Sequence, residues 1–283
     1  MIIWLASYPK SGNTWVRSLL SAYYFSETGN FNFELLKNIN VYPQQKYFDV
    51  KINKPGEISL HWDISQKKII SEKKIKILKT HNSLLALNGK NFTKPEYTLG
   101  IIYVVRDPRN VITSLKNHYS LSNYKEAKEF LFNENKILGL SEEQKNLYIK
   151  SKKFPLTQFV GSWKSHYLSW KNMRKNNLLI KYEDLIHDTK NEFTKIANYI
   201  GSLLKLKFTE DQIDTAINLS SFEKLEKMEK EDGFSESNIG KDGNRNKFFF
   251  LGPKNNWRKI LNDQVSNDIE KKFEKEMKEL GYL

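Results

Sequence analysis

The fold is decided by one stretch near the start of the chain, Tyr8-Pro9-Lys10-Ser11-Gly12-Asn13-Thr14-Trp15. Before it, the run Met1–Ala6 is apolar and rich in β-branched and aromatic residues, which is typical of a strand buried on both faces. After it, apolar residues recur at helical spacing from Thr14 to Tyr24. Pro9 and Gly12 are turn formers, so the sequence predicts strand, loop and helix in that order.

The same alternation continues along the chain. Further strands are predicted at Lys74–Lys79, Leu99–Val105 and Leu178–Lys181. Helices are predicted at Pro108–Tyr119, Phe159–Lys175, Glu192–Ile200, 209–229 and Asp263–Leu280, and an irregular loop at Glu231–Asn256. Alternating strands and helices predict the α/β class, with a central parallel sheet covered by helices on both faces. With no linker in sight, residues 1–283 are expected to form a single domain.

The loop after the first strand has the chemistry of an anion site. In parallel α/β sheets ligands gather beyond the carboxyl ends of the strands, where helix N-termini present backbone N–H groups. Gly12 lets the backbone approach an anion, Lys10 supplies charge, and Ser11 and Thr14 supply hydroxyl groups. The order of residues differs from a Walker A motif, whose lysine follows the final glycine. Taken alone, the stretch could also be a tight turn with a helix cap.

A second strand end repeats this arrangement. Arg106 follows the strongest predicted strand, Pro108 suits the first position of a helix, and Ser114 lies two turns further on. An arginine there can bind a phosphate through two N–H groups, and the serine can reach the same group. The alternative for this motif alone is a surface pair of Arg106 with Asp107 and a serine that packs against the helix.

Taken together, the motifs resemble those of the cytosolic sulfotransferase family. Tyr8–Trp15 resembles the family's 5′-phosphosulfate loop YPKSGTTW, and Arg106–Ser114 resembles its 3′-phosphate motif. Lys79-Thr80-His81 matches a KTH element, and Lys181–Leu185 contains the element YEDL. Similar elements occur at Ser220-Ser221-Phe222, which resembles TSF, and from Gly252 to Lys259, which resembles the end of RKGxxGDWKN. The ordered elements cover nearly the whole chain.

The resemblance implies 3′-phosphoadenosine 5′-phosphosulfate (PAPS) as sulfuryl donor, adenosine 3′,5′-bisphosphate (PAP) as product and a P-loop-like binding site. By this resemblance Lys10 stabilises the bridging oxygen as it leaves, and the backbone N–H groups of Ser11, Gly12, Asn13 and Thr14 bind the 5′-phosphate. Sulfuryl transfer, like phosphoryl transfer, depends on positioning and charge neutralisation, so no metal is implied.

The remaining roles follow from the same resemblance. His81 is the expected general base, since the pKa of histidine lies near ~6.5, and Lys79 is a second cation at the sulfuryl group. Arg106 and Ser114 are expected to bind the 3′-phosphate. The expected adenine contacts are Trp15, Tyr182 and Phe222, and Gly252 belongs to the cofactor site.

Two departures from the family pattern bear on the cofactor site. Asn13 replaces a threonine or serine and keeps a polar side chain. The RKG triplet becomes Phe250-Leu251-Gly252, which removes two cations expected at the 3′-phosphate. Three cations of the same loop could compensate for them: Arg245, Lys247 and Lys254.

Composition limits the remaining possibilities. The chain has no cysteine, which excludes disulfides, thiolate metal sites and a cysteine nucleophile. Its net charge of +13 suits either a solvated lysine-rich surface or an anionic partner. No apolar run reaches the ~18 residues of a membrane span, and the N-terminus does not resemble a signal peptide, so a cytoplasmic protein is expected. No nucleic-acid-binding motif accompanies the charge.

The leading hypothesis is an enzyme that transfers a sulfuryl group from PAPS to a hydroxyl or amine of a small-molecule or glycan acceptor. The acceptor pocket is expected in Phe31–Trp62, Asn82–Pro95, Tyr119–Pro155 and Glu231–Phe250. One alternative is a non-catalytic family member that binds a nucleotide or polyanion, as the altered RKG element suggests. The other is a P-loop-type kinase, which lacks support from a Walker A motif or a magnesium-binding aspartate.

Overall fold

A computed structural model describes residues 1–26, 29–52, 55–139, 156–173, 176–240 and 243–283. The strands are β1 (Ile2–Ser7), β2 (Lys76–Thr80), β3 (Ala86–Leu87), β4 (Lys90–Asn91), β5 (Thr98–Val105), β6 (Ile137–Leu138), β7 (Gln158–Phe159) and β8 (Asn177–Lys181). Four of them form a parallel sheet in the order β2-β1-β5-β8, flanked by helices. The prediction of an α/β fold with a central parallel sheet is therefore confirmed.

The helices occupy most of the remaining described chain. They are α1 (Asn13–Phe25), α2 (Ile58–Ser71), α3 (Pro108–His118), α4 (Tyr124–Phe132), α5 (Trp163–Lys171), α6 (Tyr182–His187), α7 (Thr189–Leu204), α8 (Glu210–Leu219), α9 (Phe222–Asp232), α10 (Trp257–Ile260) and α11 (Asp263–Glu279). Short 3₁₀ segments lie at Phe33–Asn38, Gln45–Tyr47, Pro55–Glu57 and Gly252–Lys254.

The first strand is buried along its whole length, as its continuous apolar sequence predicts. It pairs with β2 in parallel register, with Leu5 opposite Lys79 and Ala6 opposite Thr80. This register brings the end of β2, and with it His81, beside the end of β1. Residues that follow parallel strands thus meet at one edge of the sheet.

The chain packs as two compact units. The first comprises Met1–Tyr8, Ile39–Tyr103 and Glu134–Leu178. Its core is a group of buried aromatic rings with centroids 5.2–6.4 Å from their neighbours: Trp4, Tyr42, Trp62, Phe92 and Trp170. Rings of this size bury large apolar areas and supply much of a core's stability.

The second unit comprises Pro9–Asn38, Val104–Asn133 and Leu179–Leu283. One of its clusters contains the buried residues Leu36, Leu225, Phe234 and Phe249. Trp15, Phe222 and Phe248 pack against that cluster while remaining partly buried. This cluster anchors the loop between α9 and α10 to α1 and α9.

Two of the differences between the predicted and the observed helix bounds have a clear cause in serine side chains. The predicted helix 209–229 is two helices, α8 and α9, because the Ser221 hydroxyl accepts a hydrogen bond from Lys224 N and starts a new helix. The predicted helix Phe159–Lys175 begins only at Trp163, where Ser162 and Ser165 form a capping box. Its predicted end, Arg174 and Lys175, lies outside the described residues.

In the described part of the chain, every helix is too short or too polar to cross a bilayer.

Candidate functional site

The turn after β1 is built by two residues with left-handed backbone conformation. Lys10 has φ 65° and Gly12 has φ 99°. The Gly12 carbonyl accepts hydrogen bonds from Trp15 N (3.0 Å) and Val16 N (3.2 Å), and α1 begins at Asn13. The first N–H groups of a helix have no partner within the helix, so the turn can present them to an anion. A lysine in this conformation costs energy, as is common at functional sites.

Gly12 is required because the Tyr182 ring occupies the space beside it. A Cβ atom at position 12 would lie within 3.0 Å of two ring carbons of Tyr182. The same ring lies 4.2 Å from the Arg106 guanidinium and 5.9 Å from the Trp15 ring. Three predicted site residues from two other motifs therefore meet around Tyr182.

Arg106 links the two predicted phosphate motifs. Its side chain is buried, and NH1 donates to the Lys10 carbonyl at 3.0 Å and to Ser114 Oγ at 3.2 Å. The surface pair of Arg106 with Asp107, the alternative considered for this motif, is not what forms. Asp107 instead pairs with Arg109, with Nη2 to Oδ2 at 2.7 Å.

Arg109 is a structural residue. Its guanidinium also donates to Glu270 (2.5 Å) and to the Tyr282 carbonyl (2.7 Å), and it stacks 4.1 Å from the Trp257 ring. All of these partners belong to the same chain, and Arg109 is only 4% exposed. Arg109 thus connects the start of α3 with α11 and with the backbone at Tyr282.

The side chains of the turn differ in what they already bind. Ser11 Oγ is buried and has no hydrogen-bond partner among the described residues. The Thr14 hydroxyl donates to Glu236 at 3.4 Å, and Glu236 also forms an ion pair with Arg17. Asn13 is 3% exposed. Ser11 is therefore ready for a ligand, whereas Thr14 must exchange a partner to bind one.

The Lys10 ammonium group lies 3.5 Å from the centroid of the Phe248 ring. Phe248 belongs to the irregular loop after α9, and its N–H donates to Glu229 at 2.6 Å, as does the N–H of Phe249 at 2.8 Å. A cation above an aromatic face is attracted by the ring quadrupole. This role of Phe248 was not predictable from the sequence, because only the folded loop brings the ring to Lys10.

The remaining predicted cofactor residues lie in the same unit. A Cβ atom at Gly252, whose φ is 49°, would lie within 3.0 Å of three ring carbons of Phe222. Trp15 Nε1 donates to the Ser220 carbonyl at 3.0 Å, which ties α1 to the start of the Ser220-Ser221-Phe222 element.

The three cations that could replace the missing RKG side chains have other surroundings. Lys247 forms an ion pair with Glu226. Arg245 donates to the carbonyls of Phe234 and Ser237 at 3.4 and 3.5 Å, and Lys254 is exposed. A neutral residue of this segment reaches Ser114 of the 3′-phosphate motif: Asn255 Nδ2 donates to Ser114 Oγ at 3.3 Å.

His81 lies in the first unit with a defined hydrogen-bonding state. Its Nδ1 is 2.8 Å from the Ser7 carbonyl, and its backbone N–H donates to Gln158 Oε1 at 2.8 Å. A carbonyl only accepts hydrogen bonds, so Nδ1 carries the hydrogen. In the neutral ring Nε2 is then the nitrogen with a lone pair, as a proton acceptor requires.

A buried chain of polar groups supports the backbone at His81. Tyr103 Oη is 2.8 Å from His166 Nδ1, and His166 Nε2 is 3.2 Å from the His81 carbonyl. Burial lowers the pKa of His166 to about 3, so its ring is neutral at physiological pH. His166 was not predicted to belong to the site, because its position in an amphipathic helix gave no signal.

Lys79 lies two residues before His81 on β2 and is 5% exposed. Its backbone N–H donates to the Asn40 carbonyl (2.9 Å), and its carbonyl accepts from Tyr42 N (2.7 Å). The backbone of the KTH element is thus held on both sides, by β1 and by the segment around residue 41.

A cavity of about 660 Å³ lies between α9 and the following loop, lined by both acidic and basic side chains including Glu226, Lys230 and Arg245. Among the described residues, no group of three or more histidine, aspartate or glutamate side chains is placed to hold a metal ion. Residues 140–155 of the predicted acceptor segments lie outside the described residues.

Comparison with known proteins places the chain in a family. A sequence profile of the sulfotransferase domain matches residues 2–281. The chain belongs to the sulfotransferase family. The resemblance found in the motifs is therefore confirmed.

Curated relatives are distant sulfotransferases. The amine sulfotransferase of Oryctolagus cuniculus is 23% identical over 283 residues, which cover 98% of this chain and 81% of that protein. Sulfotransferase 2A1 of Rattus norvegicus is 24% identical over 221 residues, covering 77% of this chain. The match spans 64% of the length of that rat protein.

Solved structures of sulfotransferases share the fold. A mouse sulfotransferase in complex with PAP superposes with a TM-score of 0.60 at 18% identity, covering 98% of this chain and 84% of that one. A retinol dehydratase in complex with retinol and PAP also gives a TM-score of 0.60, at 19% identity, covering 98% of this chain and 81% of that one.

Proposed function

We propose that this sulfotransferase-family chain transfers the sulfuryl group of PAPS to a hydroxyl or amine of a small-molecule or glycan acceptor. It acts as a single domain over residues 1–283, and a cytoplasmic location remains a prediction. PAPS supplies the activated sulfuryl group when it is bound.

One observation carries the proposal. Arg106 NH1 contacts both the turn at Lys10 (3.0 Å) and Ser114 Oγ (3.2 Å). A single guanidinium therefore connects the motif proposed for the 5′-phosphate with the motif proposed for the 3′-phosphate. A nucleotide with phosphates at both positions is the ligand that uses both motifs at once.

The residues of the turn fit the 5′ end of such a nucleotide. Ser11 Oγ is a buried oxygen without a partner among the described residues, and phosphate oxygens accept from hydroxyl groups. The left-handed conformation at Lys10 and Gly12 suits successive N–H groups that converge on an anion. We assign Lys10 through Thr14 to this end of the nucleotide, with Lys10 also stabilising charge on the departing oxygen.

The other end of the nucleotide is assigned to the second motif and to aromatic side chains. Arg106 and Ser114 bind the 3′-phosphate. Trp15, Tyr182 and Phe222 contact the adenine, and Gly252 allows the close approach of Phe222. The buried, partly aromatic surroundings of Arg106 exclude water and strengthen its attraction for an anion.

His81 removes the proton from the acceptor. Its Nδ1–H donates to the Ser7 carbonyl, so Nε2 can accept the proton of the attacking hydroxyl or amine. Proton removal makes the acceptor a better nucleophile, and Lys79 contributes positive charge at the transferring group.

Nucleotide binding is the first test. Isothermal titration calorimetry should show that PAP binds tightly and ATP with Mg²⁺ weakly, and PAP should raise the melting temperature. Transfer of labelled sulfate from PAPS to a panel of phenols, alcohols and amines then tests the activity. Stabilisation by ATP with Mg²⁺ and not by PAP would instead support a kinase. PAP binding without transfer to any acceptor would support a non-catalytic family member.

A further inference from the structure

The segment that has lost the RKG cations contributes a neutral side chain to the second phosphate motif. Asn255 stands where the RKGxxGDWKN pattern has its second glycine, and it is 9% exposed. Its Nδ2 donates to Ser114 Oγ at 3.3 Å. Glycine has no side chain to make this contact, so the interaction is a property of this chain.

The orientation of the Asn255 amide is fixed by its other partners. Nδ2 also donates to the Asn110 carbonyl at 3.0 Å, and Oδ1 accepts from the Thr113 hydroxyl at 2.9 Å. The Asn110 carbonyl can only accept, so the NH₂ group must face it. The same NH₂ group therefore faces Ser114.

Ser114 Oγ consequently accepts two hydrogen bonds. One comes from Arg106 NH1 at 3.2 Å and the other from Asn255 Nδ2. A serine hydroxyl has two acceptor lone pairs and one hydrogen. With both lone pairs used, the hydrogen is directed away from Arg106 and Asn255, and Ser114 becomes a donor toward any ligand beside them.

The backbone carbonyl to which the Ser114 hydroxyl would usually donate is also occupied. A serine in a helix often donates to the carbonyl four residues earlier, which for Ser114 is that of Asn110. That carbonyl already accepts from Asn255 Nδ2 at 3.0 Å, and Thr113 Oγ1 also lies 2.8 Å from it. In the described structure Ser114 Oγ makes only its bonds with Arg106 and Asn255, and the side chain is partly exposed.

We infer that Asn255 is a positioning residue that turns the Ser114 hydroxyl into a hydrogen-bond donor for the 3′-phosphate of the sulfuryl donor. This inference rests on the proposed function. The oriented hydroxyl of Ser114 is a neutral donor that partly compensates for the two cations missing at Phe250-Leu251. Selectivity for the 3′-phosphate then depends on hydrogen-bond direction as well as on Arg106.

The test compares two nucleotides that differ only in the 3′-phosphate. Calorimetry gives the dissociation constants of PAP and of adenosine 5′-monophosphate (AMP). The ratio Kd(AMP)/Kd(PAP) measures selectivity for the 3′-phosphate. Asn255→Asp replaces the NH₂ donor by an acceptor and turns the Ser114 hydrogen toward residue 255. The ratio should fall about tenfold or more, as expected for a lost hydrogen bond to a charged group.

Two matched controls separate this effect from charge and from folding. Asn256→Asp adds the same negative charge one residue away, at an exposed position that caps α10, and should change the ratio by less than about threefold. Asn255→Gly restores the glycine of the pattern without adding charge and should also lower the ratio. Equal losses in Asn255→Asp and Asn256→Asp would overturn the inference.

A double-mutant cycle tests whether Asn255 acts through Ser114. Ser114→Ala should lower the ratio, and adding Asn255→Gly should lower it no further, because the group that Asn255 orients is gone. Additive losses would overturn the inference. If the unchanged protein binds PAP but selectivity survives in Asn255→Gly, the inference fails and the proposed function stands; if the unchanged protein does not bind PAP, the proposed function itself fails.

Discussion

At the scale of single residues, the candidate site requires glycine at two positions and an arginine at a third. Gly12 and Gly252 both lie against an aromatic ring at distances that no Cβ atom tolerates. Arg106 then holds the turn and Ser114 through one nitrogen. Small changes at these positions should therefore have large effects on nucleotide binding.

Gly12→Ala should disrupt the turn. The new methyl group would overlap the Tyr182 ring, and the left-handed backbone adds strain. We expect a loss of about 1–3 kcal/mol of stability and a large loss of PAP affinity. Gly89→Ala is the matched control, since Gly89 has φ 69° but nothing within 4 Å of its Cβ position. Urea unfolding and calorimetry measure both effects, and equal losses in the two variants would refute the role of the Tyr182 contact.

His81→Ala should separate chemistry from binding. Removing the proton acceptor is expected to lower the turnover number by about 10²- to 10⁴-fold, while the PAP dissociation constant stays within about twofold. His187→Ala, which changes an exposed histidine in the last turn of α6, serves as the control. A parallel loss of turnover and PAP binding would mean that His81 is structural.

The residues of both motifs could be predicted from the sequence, but the residues that contact and orient them could not. Arg106 and Ser114 were predictable because the residues after parallel strands meet at one edge of a sheet. Asn255, Phe248 and His166 were not, because each acts through a contact that is distant in sequence. A surface pair of Arg106 with Asp107 was the alternative interpretation of that motif. Asp107 instead pairs with Arg109, since Asp107 caps α3 and Arg109 lies in its first turn.

At the scale of elements, the ends of α3 and α5 explain how the motifs are held. Asp107 caps α3 and binds Arg109, which also reaches Glu270 on α11. His166 on α5 binds the backbone at the end of β2. Helix interiors followed the predicted periodicity, while helix ends depended on serine caps that compete with a continued helix, as at Ser162 and Ser221.

Arg109→Leu should destabilise the protein strongly. It leaves the buried Asp107 carboxylate and Glu270 without their cation, for which the expected cost is about 3–5 kcal/mol. Arg258→Leu is the control, because Arg258 stacks 4.5 Å from the same Trp257 ring but is exposed. Its expected cost is within about 0.5 kcal/mol in urea unfolding. A small effect at Arg109 would contradict its structural role.

His166 should make stability depend on pH. Burial lowers its pKa to about 3 in the folded state, whereas the unfolded chain has a histidine pKa near ~6.5. Between these values the unfolded state binds an extra proton, so stability is lost as the pH falls through this range. From pH 7.5 to 5 this histidine accounts for about 2 kcal/mol.

Urea unfolding at both pH values checks this dependence. The variant His166→Gln lacks the titrating group and should lose less stability on acidification than the unchanged protein. His61→Gln removes a partly exposed histidine and is the control for the loss of one histidine side chain. An identical pH dependence in all three proteins would show that His166 does not titrate as its burial requires.

At the scale of the whole molecule, the net charge of +13 has to be distinguished from the charge of the site. The cations that line the two motifs are few, and the loop that the family pattern fills with arginine and lysine carries Phe250 and Leu251 instead. Exposed charges in water are screened beyond about 8–10 Å at moderate salt. Nucleotide affinity should therefore follow the geometry of the site and not the total charge.

Two variants test this distinction. Arg106→Lys leaves the net charge unchanged but removes the guanidinium that reaches two groups, and PAP affinity should fall about tenfold or more. The double variant Lys207→Glu/Lys275→Glu removes four units of positive charge at exposed positions, yet PAP affinity should change less than about threefold at 150 mM salt. The opposite order of effects, measured by calorimetry, would show that long-range charge dominates.

The contact between Gly12 and the Tyr182 ring also limits which residues can occur together at positions 12 and 182 during evolution. The ring fills the volume that any side chain at position 12 would need, so the two positions cannot drift independently. A lineage that gains a methyl group at position 12 must first lose the aromatic ring at position 182, and with it the stacking partner of Arg106. The turn, the arginine and the aromatic ring are therefore expected to persist, or to disappear, as one heritable set.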